Sequence, residues 1–361
     1  MRPAGVRIET RLYVPDWRVR VMMHVRVIAL AAIALTPVSS IASAQQKVLD
    51  SVKQKGQVSC GVHTGLPGFG QADDKGVWKG LDVEYCRAIA AAVLGDGGKV
   101  RFVPTTPKER FTALNSGELD VLIRTTTWTL QRDSAQGLTF TGANFYDGQG
   151  FMVKKSAGVK TAKELGGASV CVQTGTTTEQ NLADYFRTNN MQYKPVVFEK
   201  VDEAVSAYQT GRCDAYTTDA SGLYAAKLLM QAPDDHAVLP DIISKEPLGP
   251  SVRQGDSQWF TIVRWVHFAL LNAEEVGVTQ ANVDQMLTSA NPDIKRLLGK
   301  EGDFGKGLGL DNEWAYRIIK QLGNYGEIFE RNVGAGSRLK IDRGLNRLWT
   351  AGGLQYAPPI R

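Results

Sequence analysis

The chain has 361 residues, 43% of them hydrophobic and 22% charged, and a formal net charge of +5. Six arginines and two acids fall within residues 1–44. The charge beyond them is therefore only about +1, which gives no reason to expect a nucleic-acid partner. Arg264 and His267 interrupt the apolar run at 260–271, which excludes a membrane-spanning body.

Residues 27–35 form a short apolar core behind basic residues, and Ala42-Ser43-Ala44 follows as a small-residue cleavage pattern. This is the make-up of a secretory signal peptide over 1–44, with an exported mature chain starting near Gln45. Met22 or Met23 would start a signal of ordinary length, which leaves 1–21 as an upstream extension. The remaining length suits two lobes better than one core. In an exported chain four cysteines are expected as disulfides. Cys60 falls on the first strand, Cys86 on the next helix, and Cys171 and Cys213 on strands of the second half. Three pairings are open; Cys60–Cys86 with Cys171–Cys213, one per lobe, is preferred. No pair has zinc-ligand spacing, and no metal or cofactor is expected.

Leu81 to Leu94 spaces Val83, Cys86, Ile89, Ala90 and Val93 as a helix that stops at Gly95. Thr106-Pro107-Lys108-Glu109 is a capping box with proline at the first helical position, leading to Phe111 and Leu114. The apolar strand Leu119–Ile123 then runs into Arg124-Thr125-Thr126-Thr127-Trp128-Thr129-Leu130-Gln131-Arg132. Hydroxyls, N–H groups and guanidinium forks gathered at a strand end suit a carboxylate. Fifty residues on, Thr174-Gly175-Thr176-Thr177-Thr178-Glu179 is a second capping box, whose first-turn N–H groups point back past Gly175. Asp256 caps a long helix with Trp259, Ile262, Val263, Val266 and Leu270 along its apolar stripe, and further helices follow Gly299.

Two segments read as short extended crossings: Tyr146-Asp147-Gly148-Gln149-Gly150 and Glu246-Pro247-Leu248-Gly249-Pro250. They divide the chain into 45–146 and 250–361 for a discontinuous first lobe, with 150–246 as the inserted second lobe. A faint duplication supports two similar lobes. Val62-His63-Thr64-Gly65 recurs as Val172-Gln173-Thr174-Gly175, and Ser116-Gly117-Glu118-Leu119-Asp120 as Thr210-Gly211-Arg212-Cys213-Asp214. Open α/β sheets bind small molecules at the carboxyl ends of such strands.

On Gly80-Leu81-Asp82-Val83-Glu84, Asp120 to Arg132, Gln173 to Thr178 and Gly211 to Asp219, the chain resembles the periplasmic solute-binding proteins of polar-amino-acid ABC transporters. The two crossing motifs and the long tail resemble the general L-amino-acid-binding branch. The resemblance implies an α/β, two-lobed type II periplasmic-binding-protein fold with a ligand cleft between lobes and a two-segment hinge. It implies a monomer that binds a free L-amino acid, a permease partner in the inner membrane, and no cofactor. By the same resemblance Arg132 is the clamp on the α-carboxylate, and Thr127 and Thr125 are its neighbours. Thr176 and Thr177 add N–H groups from the second lobe, and Asp219 accepts from the α-ammonium.

The chain departs from the family pattern in the first loop, where Leu66 stands near a usual tyrosine and Phe69 is the remaining aromatic. It departs again near Pro107, where a stacking ring is missing, and at Arg124, which replaces a small residue. Arg124 is either a contact for an acidic or amide side chain, which favours glutamate, aspartate or their amides, or a rim residue paired with nearby acids. An enzyme reading, an exported dehydratase of similar fold, has only Glu179 or Asp219 to offer as a general acid. A sensor domain lacks a spanning helix to follow it. Fold alone does not separate these readings; the pairing of an arginine with an aspartate across a cleft favours the receptor.

Overall fold

The computed structural model describes residues 47–361; the expected signal segment lies outside them. Two five-stranded sheets dominate. In order, the first holds Val100–Thr105, Val58–His63, Val121–Leu122, Ser251–Arg253 and Leu138–Phe140. The second holds Lys194–Phe198, Ser169–Gln173, Ala215–Asp219, Gln149–Lys154 and His236–Val238. Each has three parallel strands followed by two joined antiparallel. Strand Val58–His63, the middle of the three parallel strands, is buried along its whole length, as expected for a parallel strand covered on both faces.

The duplicated motifs have a common physical cause. Asp120 donates its N–H to Ser59 O and accepts from Ser59 N–H, both at 2.8 Å. Asp214 does the same with Ser169, at 2.8 and 2.7 Å. In both lobes a helix-to-strand turn ends in an aspartate that fixes the start of the neighbouring strand, and so sets the register that places the strand ends. The disulfides join Cys60 to Cys86 and Cys171 to Cys213, the preferred pairing of the three.

Helix Leu81–Leu94 ends at Gly95 in the left-handed conformation (φ 78°), where glycine avoids a Cβ clash. Asp256 accepts from Trp259 N–H at 2.9 Å to cap helix Ser257–Glu275. The tail helices Trp314–Leu322 and Tyr325–Asn332 bury Ile318, Ile319, Ile328 and Phe329 in the same core as Trp259 and Val58. The 106–109 box forms its reciprocal bonds, Glu109 N–H to Thr106 Oγ1 and Thr106 N–H to Glu109 Oε2. The α-helix itself begins only at Arg110, because residues 107–109 are taken up by a turn.

The chain passes between the sheets twice, and the passing segments pair. Phe145–Asp147 lies antiparallel to Glu246–Leu248, with Asp147 opposite Glu246. The tail holds this ladder: Asn346 Oδ1 accepts from Tyr146 N–H at 2.6 Å, and its Nδ2 donates to Tyr146 O at 3.0 Å. Among the described residues no helix is long and apolar enough to cross a membrane.

Candidate functional site

A cavity between the two sets of strand ends is lined by six of the residues singled out from the sequence: Arg124, Thr125, Thr127, Thr176, Thr177 and Asp219. Arg110, His63 and Leu66 line it as well. Above it the two sides touch: Lys108 Nζ lies 3.5 Å from Glu199, and Gly175 packs against Pro107 and Lys108.

The first-lobe side is a wall of guanidiniums. Arg124 follows strand Val121–Leu122; its Nε donates to Thr105 O at 2.9 Å. Its Nη2 is buried with no hydrogen-bond partner among the described residues. Arg110, at the start of helix Arg110–Ser116, donates through Nη1 to Thr126 Oγ1 at 3.3 Å and leaves a buried Nε unpartnered in the same way. Arg132 is not among the lining residues, although Asp219 and Glu246 lie near enough to act on its charge. Its Nη1 donates to Thr127 O at 2.8 Å and its guanidinium lies 5.3 Å from the Phe111 ring centre. Burial pushes Arg124 and Arg132 down to about 10, and Arg124 is lowered further by Arg132. Arg110 is lowered by burial first and then by both other arginines. The three cations thus crowd one another in a poorly solvated place, offset in part by Asp82, Asp219 and Glu246, and an anionic ligand group offsets them further.

Thr125 sits at φ 40°, a conformation that costs a non-glycine residue about 1–2 kcal/mol. Asp82 Oδ2 accepts its N–H at 2.9 Å and holds it there, so that N–H is spent within the protein. Burial pushes the Asp82 carboxyl up to about 7, against the pull of Thr125, Asn144 and Arg124. His63 ends strand Val58–His63. Its Nδ1 accepts from Gly65 N–H at 3.2 Å, which places the ring proton on Nε2. Burial, with Arg124 and Arg110, keeps the ring neutral.

The second-lobe side carries the opposite sign. Asp219 ends strand Ala215–Asp219, and its Oδ1 is buried without a partner among the described residues. Burial raises the Asp219 carboxyl well above the usual carboxylate range; Asp147 and Glu246 raise it further, and Arg132 and Arg110 pull it back. Asp147 is pushed up to about 6, mainly by burial. Thr176 caps helix Thr177–Thr188, accepting from Glu179 N–H at 3.1 Å and donating to Gln173 O at 2.7 Å. Thr178 Oγ1 at 2.8 Å takes its second lone pair, so the hydroxyl is fully used, and what remains for a ligand is the first-turn N–H groups. Glu179 Oε2 accepts from Gly175 N–H, which leaves it a capping residue rather than an acid in the cavity.

Phe69 does not line the cavity. It is wholly buried and meets Phe145 edge-on at 5.3 Å. Leu66, one turn earlier, takes the position beside the ligand space. Trp128 stacks on Phe140 at 6.0 Å, outside the lining. Sequence reasoning missed Arg110 and Glu246. Arg110 had a signal: it stands just after the strand end at Thr105, one of the parallel strand ends that also deliver His63 and Arg124. Glu246 had none, because Thr127, Thr177 and Asn181 reach it from two distant segments. Among the described residues no group of three or more His, Cys, Asp or Glu could hold a metal ion.

Residues 58–275 match the model of the bacterial extracellular solute-binding proteins, family 3. The chain is 62% identical over 335 residues to the general L-amino acid-binding periplasmic protein AapJ of Rhizobium johnstonii, covering 92% of this chain and 98% of that one. It is 55% identical over 335 residues to the glutamate/glutamine/aspartate/asparagine-binding protein BztA of Rhodobacter capsulatus, covering 92% and 97%. A solved ABC-transporter periplasmic binding protein from Brucella ovis, with glutathione bound, superposes with a TM-score of 0.86 at 62% identity, covering 87% of this chain and 99% of that one.

Proposed function

Since the chain belongs to family 3 of the bacterial extracellular solute-binding proteins, we propose that it captures free L-amino acids in the periplasm and hands them to the inner-membrane permease of an ABC transporter. It is a binding protein and not an enzyme. One observation carries the ligand class. Asp219 Oδ1 on one side, and Arg124 Nη2 and Arg110 Nε on the other, are buried, opposite in charge and unpartnered, around one cavity. A zwitterion satisfies both sides at once.

In this reading the α-ammonium meets Asp219. The α-carboxylate meets Arg132, whose guanidinium turns from Thr127 O toward the cavity, with Thr125 and Thr127 beside it, and the N–H groups at the start of helix Thr177–Thr188. Arg124 and Arg110 take a side-chain carboxylate or amide, which favours glutamate, glutamine, aspartate and asparagine. Hydrogen bonds to charged groups contribute roughly 1.5–3 kcal/mol each. Only an arrangement with both lobes against the ligand makes all of them, so ligand favours closure. The type II fold supplies the movement: the two crossing segments act as the hinge between 45–146 with 250–361 and 150–246. Cys60–Cys86 joins a strand of the first sheet to the helix beside it, and Cys171–Cys213 joins a strand of the second to the turn before strand Ala215–Asp219, where Cys213 lies rather than on a strand, so neither restrains such a hinge. The protein acts as a monomer after removal of its signal peptide.

The test is calorimetric titration of protein refolded free of carried ligand. L-glutamate, L-glutamine, L-aspartate and L-asparagine should bind; 4-aminobutanoate, which lacks the α-carboxylate, should not. Binding of the decarboxylated compound as tightly as glutamate would refute the clamp. Glutathione belongs in the panel because the Brucella ovis relative holds it and its γ-glutamyl end is the same zwitterion. Tighter binding of glutathione than of any free amino acid would move the function to γ-glutamyl peptides.

A further inference from the structure

Glu246 stands on the crossing ladder, 1% exposed. Its hydrogen-bond partners are all neutral and come from three places. Thr127 Oγ1 reaches Oε2 at 2.6 Å from the first-lobe loop. Thr177 Oγ1 reaches the same oxygen at 2.8 Å, and Asn181 Nδ2 reaches Oε1 at 2.7 Å, both from helix Thr177–Thr188. Ser244 Oγ meets Oε1 at 2.6 Å.

Each of these bonds has a direction. All four neighbours donate to the carboxyl oxygens, and a hydroxyl has one proton to give. Thr127 and Thr177 therefore commit their protons to Glu246. The 3.2 Å between their two oxygens is then a contact of two acceptors. Both residues line the cavity, and what they have left for a ligand is lone pairs. The first-lobe half of this arrangement is tied to the crossing strand: Trp128 N–H donates to Pro247 O at 2.8 Å and Gly249 N–H to Thr126 O at 3.0 Å. Thr177 and Asn181 have no such tie and belong to the helix on the other side.

We infer that Glu246 is a positioning residue for ligand capture. It is a carboxylate latch that joins helix Thr177–Thr188 to the Thr127 loop when the lobes meet, and it turns the Thr127 and Thr177 hydroxyls into acceptors for the ligand's N–H groups. This rests on the receptor reading and adds a group that touches no ligand charge. The hydroxyls cease to be donors to the α-carboxylate, which is left to guanidinium and backbone N–H groups. They join Asp219 in favouring a ligand with donors, an ammonium or an amide. The latch forms only between assembled lobes, so it slows release without affecting encounter.

Stopped-flow binding of L-glutamate and L-glutamine tests this on wild type, Glu246→Gln, Thr177→Val and the double variant. Thr177→Val is near-isosteric on a half-buried helix start, so it reports even if Glu246→Gln folds poorly. Dissociation should quicken by about tenfold in each single variant while association stays within about twofold. The double variant should release no faster than the quicker single one, because both changes remove the same bond. Unchanged dissociation in folded Thr177→Val, or effects that multiply in the double variant, would overturn the latch; a purely structural Glu246 would lower the melting temperature without this pattern. If wild type binds neither amino acid, the receptor reading fails by itself. The latch is then read without ligand, from fluorescence energy transfer between dyes on the two lobes. A closed population that Thr177→Val abolishes keeps it; one that is absent or unchanged removes it.

Discussion

The two sheets are built alike and carry opposite chemistry. Asp120 and Asp214 fix the neighbouring strand through the same two bonds to the backbone of Ser59 and Ser169, and His63 and Gln173 end equivalent strands, each second in its sheet. At the next strand end the likeness stops: Arg124 follows one and Asp219 completes the other. Register is set by residues remote from the cavity, so the strand ends are free to differ. Such a scaffold can change ligand while its frame stays the same.

The largest expected break in this contrast is to remove a charge from one side. Arg132→Ala should weaken L-glutamate binding by a factor on the order of 10²–10³ in calorimetry, the cost of leaving buried partner charges uncompensated. Unchanged affinity in the folded variant would take the clamp away from Arg132. Asp219→Asn should cost about 100-fold for α-amino acids and spare glutarate, which has both carboxylates and no ammonium. Equal losses for both ligands would show that Asp219 does not read the ammonium.

A smaller effect sharpens the contrast instead. Arg124→Gln and Arg110→Gln should each lower the preference for glutamate over alanine by about tenfold, with alanine affinity little altered. A parallel fall for both ligands would return these arginines to a structural role. The smallest effect is protonic. Burial and the neighbouring acids raise the empty-site carboxyl of Asp219, whereas a bound ammonium favours its charged form. Binding should therefore release protons at any pH where empty-site Asp219 is protonated. Affinity should rise with pH through that range and level off above it. Titration in buffers of different ionisation enthalpy measures the release; proton uptake would reverse the assignment.

Much of the frame was readable from local pattern. The helix stop at Gly95, the caps at Thr176 and Asp256, and the two crossings each depend on a few adjacent residues, and adjacent residues are what a sequence displays. Arg124, Thr177 and Asp219 were readable for the same reason, as strand or helix ends. Arg110 had the same kind of signal, its place after the strand end at Thr105, but it opens a helix, where a charged residue is usually solvated. Phe69 looked available as a ligand-facing ring but turns into the core against Phe145, a choice made by a partner far along the chain. Glu246 gathers Thr127, Thr177 and Asn181 across large sequence separations, and no local spacing encodes that meeting. His63, unremarkable in the sequence, acquires its place from parallel pairing alone.

Strand Ser251–Arg253 lies between Val121–Leu122 and Leu138–Phe140, and this governs the order of assembly as the chain emerges during export. The strands of the second sheet all fall within 149–238, so it can close while the rest is still arriving. The first sheet, although it begins earlier, keeps two strands waiting with unpaired edges. The half made first is thus the half finished last. A chain ended at residue 248 should resist limited proteolysis across 150–238 and be cut across 58–140. The same chain should precipitate more readily than the full one, with the waiting edges as the cause.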